Sequence, residues 1–178
     1  MSETKSAPQN FGLAIAFVAP GFLGFVALSY FSPMASDWLQ AASKEDQGVG
    51  VFLFVLLGSI ALGIVISGIR ALLIDRLLHS KLMRGWKVSQ PSIQWDKMDD
   101  QKREALNTLI EGFYRYYQFY SNSLIALLLL LVARLCGDSN PLLSWWSCAA
   151  LLIVGVCLFW SARDSYRKYC EATVKLFN

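Results

Sequence analysis

Histidine is nearly missing from this chain of 178 residues: His79 stands alone. A single imidazole with no second histidine and no cysteine near it in sequence excludes the usual zinc spacings, and it reads as a solvated residue at a membrane surface. Arg76 and His79 are also too close together for the Arg-x4-His pair of a HEPN-type ribonuclease. The four cysteines, Cys136, Cys148, Cys157 and Cys170, follow no metal-type spacing. Cys136 and Cys148 leave a disulfide open in an oxidising compartment, against the plainer reading of all four as small residues of membrane helices. A Walker-type phosphate loop, a G-x-S-x-G elbow and an H-E-x-x-H helix are lacking as well. No metal and no cofactor is expected. The absence of an internal repeat excludes a transporter assembled from repeats within one chain.

Charge is scarce too, at 16 % of residues against 55 % hydrophobic. The distribution matters more than the total. Positions 11–31, 48–69 and 142–162 carry no charged residue. Each run exceeds the ~20 residues that cross a hydrocarbon core about 30 Å thick. With 117–133 as a fourth span, the expected fold class is an all-α integral membrane protein of four transmembrane helices. Three of the four runs show no polar face, so burial inside a soluble bundle fits them poorly.

Basic residues are retained on the cytosolic side of a membrane. Lys5, nine Lys or Arg from 70 to 115 and four from 163 to 175 fall on one side, leaving Lys44 and Arg134 on the other. This predicts both termini inside (N-in/C-in), in a multi-pass protein of a bacterial inner membrane. The net charge of +3 then reflects topology, and no direct nucleic-acid binding is expected. The N-terminus shows no signal-peptide pattern. The domain reading is a cytosolic tail at 1–10 and one membrane domain at 11–178, with a cytosolic segment at 70–116 made of extensions of the second and third spans.

Small residues mark where helices can approach closely. Gly12, Ala16, Pro20 and Gly24 repeat at four-residue spacing in the first span, and Ser59, Gly63 and Ser67 do so in the second. Such stripes serve contacts within one bundle or between subunits equally well, and a homo-oligomer is expected. Pro20 removes one backbone donor at mid-membrane. Ser32-Pro33 reads as a cap and first residue of a short helix at the outer interface, anchored by Trp38. A helix start near Asp96, a turn at 136–141 and a surface-lying helix at the C-terminal tail complete the outline.

The stretch 111–134 changes chemistry halfway. On a helix, Glu111, Arg115, Gln118 and Asn122 form one polar stripe flanked by Phe113, Tyr116, Tyr117 and Tyr120. It reads either as an interhelical hydrogen-bond network or as the lining of a cytosol-facing cavity. Asp75, Arg76 and Asp164 fall at a similar depth and form a candidate charge cluster with it. Arg84, Trp86 and Trp95 are the candidates for partner recognition.

Three functions remain open. The first is a non-enzymatic membrane protein that self-associates and binds a soluble cytosolic protein, as a sensor or membrane-disrupting effector of a bacterial system such as phage defence. The second is an immunity-type protein that meets a pore-forming toxin within the lipid bilayer. The third is a small membrane enzyme using the interfacial carboxylates.

Overall fold

Where it is described, each of the four apolar runs of the sequence lies mainly on one helix. The computed structural model describes residues 7–44, 49–75, 98–136 and 145–177, and every regular element among them is helical. They are α1 (Ala7–Ser29), α2 (Pro33–Ala42), α3 (Val49–Arg70), α4 (Asp100–Leu109), α5 (Arg115–Cys136) and α6 (Trp145–Phe177). A π-helical turn, Ala71–Asp75, prolongs α3, and a second, Ile110–Tyr114, joins α4 to α5. Three stretches, Val49–Asp75, Asp100–Arg134 and Ala149–Phe177, are long and apolar enough to cross a membrane, and α1 adds a shorter apolar stretch, Ile15–Ser29.

Side-chain pairings fix the helix directions. Ala16 meets Asn122 and Tyr30 meets Arg134, so α1 and α5 run parallel. Tyr117 lies beside Tyr166 and Tyr114 beside Tyr169, so α6 runs against α5. Gly21 lies against Gly63 and Phe25 against Gly58, so α3 runs against α1. The four long helices therefore alternate in direction.

Along the α1–α3 seam glycine lets backbone approach backbone. A Cβ on Gly63 would sit 2.1 Å from the Phe17 carbonyl oxygen, and one on Gly21 would sit 1.7 Å from that of Ser59. Ser59 is buried, its hydroxyl turned back onto the Val55 carbonyl at 2.7 Å. The Ser59–Gly63 face is thus filled by α1 of the same chain. Of the α1 stripe, Ala16 and Pro20 are buried and Gly24 faces Ile66, while Gly12 lies in the opening turns of the helix. Ser67 is half-buried.

Ser32 caps α2 as its sequence indicates, its hydroxyl accepting from the Ala35 amide at 3.4 Å with Pro33 in the first turn. Trp38 closes one end of the bundle. Its ring packs over the end of the α1–α3 pair, 6.3 Å from Phe25 and edge-on to Phe54 at 4.3 Å. Phe25, Ala35 and Val55 form the core beneath it.

At the opposite end one expectation changes. Asp99 caps α4, its carboxylate accepting from the Lys102 amide at 2.7 Å. The C-terminal tail is no separate surface helix: α6 continues unbroken to Phe177, and its last turns pack against α4 and the Ile110–Tyr114 turn. Leu106, Cys170 and Thr173 are buried there. The amphipathic tail covers a neighbouring helix. Arg76, His79, Arg84, Trp86 and Trp95, Asp96 as a helix start, and the turn after Cys136 lie outside the described residues.

Candidate functional site

Two polar layers cross the bundle, and each exists because one helix leaves a group that another must satisfy. The first is at mid-bundle. Pro20 has no N–H, so the carbonyl of Ala16, four residues earlier, has lost its helical donor. The Asn122 side chain is fully buried, and its Nδ2 donates to that carbonyl at 3.1 Å. Two features that look unrelated in sequence, a mid-helix proline and the deepest member of the polar stripe, are two halves of one contact. Ser121 and Ser123 are buried on either side, and the Ser121 hydroxyl turns back to the Tyr117 carbonyl. The Asn122 Oδ1 is buried and has no hydrogen-bond partner among the described residues.

The second layer is at the α3 terminus. Arg70 is only 4 % exposed, an unusual burial for a guanidinium that nothing in its local sequence announced. It closes the last turn of α3, where the helix dipole favours a cation. Its Nη1 lies 3.6 Å from Asp75 Oδ1, and its guanidinium sits 5.3 Å from the centre of the Tyr117 ring. The Tyr117 hydroxyl donates to the same Asp75 oxygen. Arg70 Nε and Nη1 make no hydrogen bond among the described residues. Ion pair and ring face, not a full set of hydrogen bonds, hold this charge.

A tyrosine cluster walls the layer from the α6 side. Tyr166 lies 4.9 Å from Tyr117 and Tyr169 lies 5.2 Å from Tyr114, ring centre to ring centre. Spacing had suggested only an aromatic belt around the stripe. Tyr114 and Tyr117 in fact turn inward, whereas Tyr116 is 55 % exposed and stacks on Tyr120 along the outside of α5.

The rest of the stripe pairs locally. Arg115 reaches Glu111 at 3.4 Å and the Gln118 side-chain oxygen at 3.4 Å, all on its own helix and all partly buried. Asp164 pairs with Lys168 at 2.6 Å on the exposed side of α6. Among the described residues Asp75 faces Arg70 and Tyr117, Glu111 faces Arg115, and Asp164 faces Lys168. Among the described residues no group of three or more His, Cys, Asp or Glu is placed to hold a metal ion. Compared with family models, with curated proteins and with solved structures, the chain gives no match.

Proposed function

We infer that the chain is a non-enzymatic, four-span membrane protein with both termini in the cytosol, acting as the sensor or effector subunit of a bacterial multi-component system such as phage defence. Its cytosolic helical extension docks a soluble protein. The observation that carries this reading is the alternation of helix directions, which sets Lys102, Arg103, Arg163, Arg167, Lys168 and Lys175 at the end of the bundle where α3 finishes. Basic residues gathered at one end are what the positive-inside rule requires of a cytosolic face.

The outward surfaces support it. Phe52, Leu57, Ile64 and Val65 on α3 and Leu152, Ile153 and Val156 on α6 are all more than half exposed. Water does not tolerate a continuous apolar belt of that kind, and lipid does. Self-association belongs to the same reading. Because α1 fills the Ser59–Gly63 face, a second copy would meet the outer face of α3 or α6 instead.

The test places a photocrosslinking amino acid at Arg103, Glu104 or Asn107 on the open side of α4, with Leu57 and Ile153 as lipid-facing controls, in the producing cell. The expected result is one defined adduct with a soluble protein from the α4 positions and none from the controls. No adduct from α4 would remove the docking function.

A further inference from the structure

The π-helical turn after Arg70 shifts the phase of residues 71–75. In a regular helix Asp75, five residues on, would point about 140° away from Arg70. An i→i+5 turn winds less per residue and brings the carboxylate back toward the guanidinium and Tyr117. The same shift decides which apolar residue enters the core. In an unbroken α-helix Leu73 would stand only about 20° from Ile66, seven residues before it. Instead Ile74 packs beside the Ile66, Ile125 and Ala126 cluster, and Leu73 is 49 % exposed.

Leucine and isoleucine have nearly the same volume, so core packing hardly separates the two registers. The ion pair does. In the α register Asp75 leaves Arg70, and a buried guanidinium loses its counter-charge, which is strongly unfavourable. We propose that residues 71–75 form a two-position register switch, in which Leu73 and Ile74 exchange the place beside Ile66 according to whether Asp75 is held by Arg70 and Tyr117. Whatever disengages Asp75 turns the end of α3. This switch does not depend on what binds the extension.

The test uses full-length protein in phosphatidylcholine nanodiscs, with a nitroxide at position 73 or 74 and oxygen collision as the readout of lipid exposure. With Asp75 intact the label at 73 should collide severalfold more often than the label at 74. Asp75→Asn should invert that order, and Tyr117→Phe should move it the same way by less. Deleting Leu72 sets Arg70 and Asp75 four apart and leaves Ile74 seven places from Ile66, so a plain α-helix then satisfies both. In that background Asp75→Asn should no longer change the order. Unchanged order in Asp75→Asn, or an equal rise at both positions, would overturn the switch. So would inversion that persists after the deletion.

Discussion

Replacing Asn122 by leucine keeps a side chain of similar shape and removes the amide donor that reaches the Ala16 carbonyl at 3.1 Å. The size of the loss follows from what remains. A buried carbonyl left without a partner costs about 1–3 kcal/mol. Interhelical hydrogen bonds measured inside membranes average about 0.6 kcal/mol and reach about 1.7. Asn122→Leu also removes a buried Oδ1 that has no partner among the described residues, which offsets part of the loss. The single variant therefore mixes two effects of opposite sign. A double-mutant cycle with Pro20→Ala separates them, because alanine at position 20 returns the N–H that the Ala16 carbonyl lacks. Terms belonging to Oδ1 alone, or to the void left by the proline ring, cancel in the cycle. The expected coupling is about 1–2 kcal/mol, with Asn122→Leu less costly when Pro20 is already alanine. Reversible unfolding in mixed detergent–lipid micelles, followed by far-ultraviolet circular dichroism, measures all four corners. Additivity within about 0.3 kcal/mol would show that the asparagine and the proline are independent, and the account of this layer would fail.

The α1–α3 seam gives a second expectation. Gly63→Ala should cost about 1–3 kcal/mol, since its Cβ would meet the Phe17 backbone and the helices must separate. Gly68→Ala, with open space around it, should be neutral or stabilise by up to about 1 kcal/mol, and equal effects of the two in the same unfolding assay would contradict the seam. At the second layer, Asp75→Ala should destabilise by about 3–5 kcal/mol because it leaves Arg70 buried and unpaired, whereas the double replacement Arg70→Met with Asp75→Ala should recover most of that loss. No recovery would mean that Asp75 acts through something other than the guanidinium.

Some of this protein was determined by the sequence alone. Uninterrupted apolar runs specify helices that water cannot solvate, Ser32-Pro33 specifies a helix start, and Ser59 and Gly63 specify a face on which another backbone can lie. These features depend on residues within a turn or two of one another. Tertiary structure decided the rest, because it rests on which distant turns are set side by side. Periodicity showed that Asn122 needs a partner but not that the partner is a carbonyl released by Pro20, over a hundred residues earlier. It pointed to Gly24 and its four-residue relatives, whereas the tightest approach on α1 is made by Gly21, one step round the helix. Reading faces at 3.6 residues per turn also assumes a constant phase. Two π-helical turns break that assumption, and the first of them sets Asp75, and with it the burial of Arg70, where no regular spacing would place them.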